Sequence, residues 1–266
     1  MRFEIIDFHT HPFLDEKNNV CSHKEFCGMS AENSLEIFRT LGVSKFCGSV
    51  VDTHNETHPD VWQKLRQCND IALQIREIYG DCYIPGFHVH PGFVEESLEE
   101  IRRMDAQGVK LIGDLVPYVD RWGEYGLDYA SEEFSILLNE AGRRNMVVSF
   151  HSLGEDAMDK MVKKHPDVVF VAAHPGEYAP FLRHLERMKY SENYYLDLSG
   201  TGLFRYGMLR RAIDTVGADR ILFGSDFPIC NPAMFVGGVA LDPLITDAEK
   251  EKILSTKYST TPVCCR

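Results

Sequence analysis

Short apolar runs alternate with amphipathic segments along most of this chain. Most of these runs are nearly continuous in their apolar character, which is typical of parallel strands that are buried on both faces. The segments between them repeat apolar residues at intervals of three and four, which is typical of helices with one buried face. The predicted strands lie at residues 3–9, 45–51, 82–90, 109–115, 146–151, 168–174, 193–198 and 220–224.

Apolar stripes mark five of the intervening helices, and the polar residues Ser30 and Asn33 open the first of them. The stripes consist of Leu35, Phe38 and Leu41; Leu98 and Ile101; Phe134, Leu137, Leu138 and Ala141; Phe181, Leu182, Leu185 and Met188; and Met208, Leu209, Ala212, Ile213 and Val216. After the eighth strand, residues 230–244 are predicted to be irregular and residues 246–257 to form a last helix.

Eight strands that alternate with helices predict an α/β fold, and specifically a (β/α)8 TIM barrel. A chain of 266 residues fits one such barrel, so we predict a single domain over residues 1–266. The alternative is an open doubly wound sheet, which usually has fewer strands and does not bring its first and last strands together.

Two predicted connections are long for a barrel, at residues 12–30 and 116–131. The second is rich in aromatic residues, among them Trp122 and Tyr129. Loops at the carboxyl ends of barrel strands build the active site, so this connection is interpreted either as a substrate lid or as a hydrophobic cluster above the barrel.

Net charge, the length of the apolar runs and the spacing of the cysteines limit the partners and the cellular compartment that we expect. A formal net charge of −12 argues against a nucleic-acid or anionic-membrane partner, because phosphate groups bind to basic surfaces. No apolar run is long enough to span a bilayer, and the first residues lead into a strand instead of a signal peptide, so we expect a cytoplasmic protein. The eight cysteines include no Cys-x-x-Cys pair and are predicted to be reduced thiols, several of them in the core.

His9 and His11 are the first candidates for chemistry. They lie at the end of the first apolar run, residues 3–12, where alternate side chains of an extended chain share one face and lie about 6–7 Å apart. His151, His174 and Asp226 end three later strands or follow them closely. Closing the barrel makes the first and eighth strands neighbours, so we expect these side chains to converge around one divalent ion. Imidazole and carboxylate donors suit zinc, the expected ion, while manganese, iron and cobalt stay open.

These residues carry a resemblance to a known family. The chain has a His-x-His on the first strand, a His on the fifth, a His-Pro-Gly on the sixth and a Phe-Gly-Ser-Asp-Phe-Pro on the eighth. This order is similar to that of the amidohydrolase superfamily, and most of all to its amidohydrolase-2 branch of decarboxylases and lactone hydrolases. The resemblance covers about residues 3–230. It implies that His9, His11, His151 and Asp226 are metal ligands and that His174 is either a ligand or a catalytic imidazole.

The position of the lysine in the fourth predicted strand indicates how many metal ions to expect. Binuclear members of the superfamily bridge two ions with a carboxylated lysine at the end of that strand. Here the lysine of this strand, Lys110, lies near its start, so we expect one ion. Such an ion lowers the pKa of a bound water to about 7. Asp226 is expected to act as ligand and base, with His174 or His151 stabilising the developing oxyanion.

Further polar residues end other strands. A second His-x-His, formed by His88 and His90, follows the third strand, and we interpret His90 as part of the substrate pocket. Asp114 is assigned to substrate binding as well. For Asp114, Asp197 and Ser199, hydrogen bonds that cap the strand ends are an equal alternative.

The leading functional hypothesis is a metal-dependent hydrolase that cleaves an amide, ester or lactone bond of a small substrate. The first alternative is a non-oxidative decarboxylase at the same metal site, with Arg121 and Arg205 available to meet a substrate carboxylate. The second is a catalytically idle barrel that binds metal or serves in assembly. The expected partners are a small-molecule substrate and, in a homodimer, a second copy of the chain, with neither nucleic acid nor a membrane.

Overall fold

The alternation of strands and helices is present in the computed structural model, which describes residues 3–14, 20, 30–52, 58–203 and 205–255. Eight parallel strands follow one another in the order of the sequence, each overlapping its predicted run. The (β/α)8 barrel is therefore confirmed. The strands are β1 (Ile5–Asp7), β2 (Val43–Gly48), β3 (Tyr83–Phe87), β4 (Leu111–Leu115), β5 (Val147–His151), β6 (Val169–Ala173), β7 (Tyr194–Asp197) and β8 (Ile221–Leu222).

Main-chain hydrogen bonds close the sheet between β8 and β1. The amide of Phe8 donates to the carbonyl of Phe223 at 2.8 Å, and the amide of His11 donates to the carbonyl of Phe227 at 2.7 Å. An isolated parallel bridge between Thr10 and Phe227 continues the contact beyond the two strands. An open doubly wound sheet has no such contact between its first and last strands, so the closure excludes that alternative.

The predicted apolar stripes face the barrel. In α4, the stripe residues Phe134, Leu137, Leu138 and Ala141 are all buried. The first helix begins as predicted, because the Ser30 hydroxyl oxygen accepts a hydrogen bond from the amide of Asn33 at 3.1 Å. The helices are α1 (Ala31–Leu41), α2 (Val61–Tyr79), α3 (Val94–Ala106), α4 (Glu132–Arg143), α5 (Glu155–Lys164), α6 (Tyr178–Tyr190), α7 (Met208–Val216), α8 (Pro232–Ala240) and α9 (Asp247–Ser255).

One prediction for the end of the chain is wrong and one is confirmed. Residues 230–244 were expected to be irregular, but they contain α8. The helix begins because the side chain of Asn231 caps it and Pro232 supplies a helical φ in the first turn. The predicted last helix is present as α9.

The aromatic connection at residues 116–131 forms a hydrophobic cluster. Trp122 and Tyr129 are buried, and the Trp122 ring lies 5.0 Å from the Phe134 ring of α4, measured between centroids. These residues therefore follow the cluster interpretation and not the lid interpretation. Tyr118 and Tyr125 are exceptions, because their side chains are exposed. The Tyr118 ring centroid lies 5.3 Å from that of His151.

The cysteines of the described part behave as predicted for thiols. Cys47 and Cys68 are buried, and no disulfide joins the four cysteines that the structure describes. The other four, Cys21, Cys27, Cys264 and Cys265, lie outside the described residues. In the same described ranges, no helix combines the length and the apolar character that crossing a bilayer requires.

Candidate metal centre

Three side chains from the two joined strands form a compact donor group. His9 and His11 follow β1, and Asp226 follows β8. The two Nε2 atoms lie 3.2 Å apart, and Oδ1 of Asp226 lies 3.3 Å from Nε2 of His11 and 3.5 Å from Nε2 of His9. All three residues are buried, and Oδ1 of Asp226 has no hydrogen-bond partner among the described residues. A buried carboxylate oxygen without a partner, facing two imidazole nitrogens, fits a divalent cation.

Hydrogen bonds at the far side of each ring orient the two imidazoles. Nδ1 of His9 lies 3.0 Å from Oδ2 of Asp197, at the end of β7, and Nδ1 of His11 lies 3.2 Å from the carbonyl oxygen of Ser49. Both partners only accept hydrogen bonds, so each Nδ1 carries the proton and donates it. Each Nε2 is then the nitrogen available to a metal, which is the usual arrangement around metal-binding histidines.

The electrostatics of the group are those of a buried ion cluster. Burial lowers the pKa of His9, but the neighbouring carboxylates, Asp197 foremost, outweigh it and raise that pKa to about 10. Burial raises the pKa of Asp226, but the neighbouring imidazoles of His11 and His9 hold it below its ordinary value. Since metals bind neutral imidazole, a cation that enters the group displaces a proton from His9.

His174 and His151 lie at the same rim but outside this three-donor group. His174 follows β6, with its ring centroid 5.2 Å from that of His9. His151 ends β5, with its ring centroid 4.6 Å from that of His174, and it is partly exposed. Burial lowers the pKa of His174. Metal ligation by His151 stays a prediction, because its side chain does not lie with the other donors.

Asp114 lies closer to the donor group than its assignment to substrate binding suggests. It is buried in β4, and its Oδ2 lies 3.7 Å from Nε2 of His9 and 3.8 Å from Nδ1 of His151. Its Oδ1 has no hydrogen-bond partner among the described residues. Asp114 is therefore a further carboxylate that could complete the coordination of an ion. Its position in a strand of the barrel was visible in the sequence, but its distance from His9 was not.

Both ring nitrogens of His90 contact the main chain. The residue is fully buried, Nε2 lies 2.8 Å from the carbonyl oxygen of Asp120, and Nδ1 accepts a hydrogen bond from the amide of Gly92 at 2.9 Å. These contacts with the main chain favour a structural role over the predicted contact with substrate. The ring nitrogen Nε2 of His88 likewise lies 2.8 Å from a carbonyl oxygen, that of Val50.

The basic residues considered for the site have other partners. Lys110 directly precedes β4, away from the metal rim, and its Nζ contacts Asp105 and donates to the carbonyl of Arg144 at 3.0 Å. The guanidinium groups of Arg121 and Arg205 form ion pairs with Glu124 and Glu177, respectively. Both arginines are therefore already paired with carboxylates of the chain.

The role of Asp197 gives a first testable prediction. Replacing Asp197 with asparagine removes the negative charge that holds the Nδ1 proton of His9, and residues in this outer position typically contribute 10–100-fold to metal affinity. We expect Asp197→Asn to weaken zinc binding by roughly that factor, measured by competition with a chromogenic chelator. Asp128→Asn is the matched control, because Oδ1 of Asp128 accepts a hydrogen bond from the amide of Ala130 in the 116–131 connection and lies outside the donor group. Equal affinity in Asp197→Asn and the wild type would contradict the orienting role.

Metal-dependent enzymes built on a (β/α)8 barrel are the class that this fold and this donor group define. Within that class, the family model amidohydrolase-2, described as amidohydrolase, matches residues 6–256. The chain therefore belongs to the amidohydrolase family, as its motifs indicated. None of the curated proteins matches its sequence.

Several solved structures share the fold at low sequence identity. The 2,6-dihydroxybenzoate decarboxylase from Rhizobium is 18% identical, with a TM-score of 0.74 over 95% of this chain and 96% of that one. The 5-carboxyvanillate decarboxylase from Sphingomonas paucimobilis is 14% identical, with a TM-score of 0.71 over 96% and 97%. A dihydroxybenzoic acid decarboxylase from Polaromonas sp. JS666, solved with manganese and the inhibitor 2-nitroresorcinol, is 16% identical, with a TM-score of 0.64 over 94% of both chains.

Proposed function

We propose that this enzyme is a metal-dependent, non-oxidative decarboxylase that acts on a small carboxylic acid with an unsaturated or aromatic body. The observation that carries the proposal is the buried donor group of His9, His11 and Asp226 next to an apolar cavity at the same rim of the barrel. The decarboxylase activities in the names of three structures with this fold support the same choice over hydrolysis.

The donor group is the proposed holder of one divalent ion. His9, His11 and Asp226 would bind it, with His151 and Asp114 as the side chains able to complete the set. When bound, a divalent ion supplies positive charge that fixes and polarises oxygen atoms of a substrate. This source of charge matters because Arg121 and Arg205 are paired elsewhere. Zinc and manganese are the candidate ions, since two structures with this fold contain manganese.

The cavity would receive the non-polar body of the substrate. Its volume is about 320 Å³. It touches the metal centre through Cys230, whose sulfur lies 3.7 Å from Oδ2 of Asp226, and through Gly200, which packs against the ring of His174. The substrate carboxylate would lie at the edge of this cavity, next to the metal centre. The apolar wall would remove part of its hydration, which favours its departure as neutral carbon dioxide. The cavity is lined by Gly200, Leu203, Cys230, Asn231, Met234, Phe235 and Gly238.

The reaction needs a proton at carbon. When the bond between the carboxylate and the substrate carbon breaks, the electron pair stays on that carbon and takes up one proton. Asp226 and His174, the proposed catalytic residues, lie at the rim where this carbon would be held. His174 would deliver the proton once it has taken one up, and Asp226, whose pKa lies below its ordinary value, would stay an ionised carboxylate beside it. Hydrolysis of an amide, ester or lactone stays a second candidate, because the same donor group and an Asp226 base suit it.

Product analysis separates the two reactions. Protein loaded with zinc or manganese is incubated with 2,6-dihydroxybenzoate, with 5-carboxyvanillate and with a panel of lactones and aryl esters. We expect release of carbon dioxide equal to the protonated product formed, from at least one carboxylic acid. The His11→Ala variant serves as the control for contaminating activity. Hydrolysis of a lactone or ester without any release of carbon dioxide would refute the decarboxylase proposal.

A further inference from the structure

We propose that Ser199 is a positioning residue that holds neutral His174 in a single tautomer, with the proton on Nδ1 and the lone pair on Nε2. The role in turnover rests on the proposed function, whereas the tautomer itself does not. Ser199 follows β7 and is fully buried. Its hydroxyl oxygen lies 3.0 Å from Nδ1 of His174 and also contacts Oδ1 of Asp197.

Counting protons along this chain of contacts fixes the direction of each hydrogen bond. The carboxylate of Asp197 only accepts: Oδ2 faces the Nδ1 proton of His9, and Oδ1 accepts from the amide of Ser199 at 2.9 Å. The hydroxyl of Ser199 has one proton, and it donates this proton in a hydrogen bond to Oδ1 of Asp197. Towards His174 the hydroxyl oxygen can then only accept, so the proton between them belongs to Nδ1 of His174.

The backbone next to Ser199 holds the His174 ring in contact with the serine hydroxyl. Gly200 follows Ser199 with a φ of +61°, and a β-carbon on it would overlap Nδ1 of His174. The backbone of Gly200 therefore packs directly against the ring edge that faces the serine. His174 itself has a φ of +69°, in the left-handed region that non-glycine residues rarely adopt. The neighbouring chain thus fixes where Nδ1 points.

The consequence is a common pattern among three histidines of the rim. In the metal-loaded protein, His9, His11 and His174 would each keep the Nδ1 proton, which faces an acceptor, and present an unprotonated Nε2. Neutral His174 can bind a metal or accept a proton through Nε2, but it has no Nε2 proton to donate to a developing oxyanion. It must first take up a proton, from solvent or from an acidic group of the substrate, before it can deliver one to carbon.

Nitrogen NMR of the zinc-loaded protein tests the proposal directly. With ¹⁵N-labelled histidine, long-range proton–nitrogen correlation spectra distinguish the two tautomers of a neutral ring. We expect the wild type to show His174 with a protonated Nδ1 and an unprotonated Nε2. In Ser199→Ala this pattern should give way to a mixture of tautomers, and Ser199→Thr, which keeps the hydroxyl, should restore it. Zinc content measured in parallel should stay at the wild-type level in both variants.

Ser152→Ala is the matched control, because the Ser152 hydroxyl lies 3.4 Å from the main-chain carbonyl oxygen of His174 and does not touch its ring. Its spectrum should equal that of the wild type. A wild-type spectrum with the proton on Nε2 would overturn the proposal, even if Ser199→Ala failed to fold. An unchanged tautomer in Ser199→Ala would overturn it as well. Neither result depends on turnover, so both are distinct from a failure of the decarboxylase proposal.

Discussion

Replacing His11 with alanine is expected to abolish both metal binding and catalysis. The donor group contains three side chains within hydrogen-bonding distance of one another, and His11 supplies the nitrogen nearest to Asp226. Loss of a direct ligand should exceed the effect of an outer residue, so we expect affinity to fall by more than about 100-fold. Elemental analysis of purified protein should give about one ion per wild-type chain and none per His11→Ala chain.

His58→Ala is the control for this experiment. His58 lies outside the donor group, and its ring nitrogen contacts the carbonyl oxygen of Asp60 two residues further along the chain. Its loss should leave the metal content and the activity unchanged. If His11→Ala kept a full complement of metal while folding normally, the metal centre would have to lie elsewhere, and the proposed function would lose its foundation.

The second large effect is expected for Gly48→Ala. Gly48 ends β2 with a φ of +149°, and a β-carbon there would overlap the carbonyl oxygen of Thr10. Backbone strain and overpacking together should lower the free energy of unfolding by about 3–5 kcal/mol, as measured by urea denaturation. Because Thr10 lies between His9 and His11, the same displacement should also weaken metal binding.

Gly237→Ala provides the comparison. Gly237 lies in α8, and a β-carbon there would meet no other atom within 4 Å. Alanine in a helix is favoured over glycine, so this variant should equal the wild type in stability or exceed it by about 0.5–1 kcal/mol. Similar losses of stability in the two variants would show that the contact between Gly48 and Thr10 is not the cause.

The fold was predictable because its signals are local. Most residues of the parallel strands are buried, so nearly continuous apolar runs mark most of these strands in the sequence without knowledge of their neighbours. The helix α8 was missed because Gly237 and Gly238 weaken its local helical signal, whereas the cap at Asn231 and the proline after it start the helix. Local patterns report propensity, and here capping overrides it.

The metal centre was predictable in part, for a different reason. His9 and His11 flank Thr10, which forms a parallel bridge with Phe227 beyond β1. The chain is therefore extended there, and the common direction of the two side chains follows from strand geometry. The pair His88 and His90 has the same spacing, yet both rings bond to main-chain carbonyls. The sequence alone does not show which of the two histidine pairs could bind a metal. That property depends on which carboxylates the fold brings close to the ring nitrogens. The orienting contacts of Asp197 and Ser199 join residues distant in sequence, and the fold alone creates them.

The join between the first and the last strand has a consequence for biosynthesis. The donors stand on both sides of that seam, so a nascent chain that lacks β8 has no complete cradle for an ion, however well its earlier strands have folded. An ion could therefore bind to the complete donor group only after β8 has been synthesised and has paired with β1. An ion at the proposed centre would bind the native state in preference to the unfolded one, so the supply of metal in the cell would change the free energy needed to separate β1 from β8.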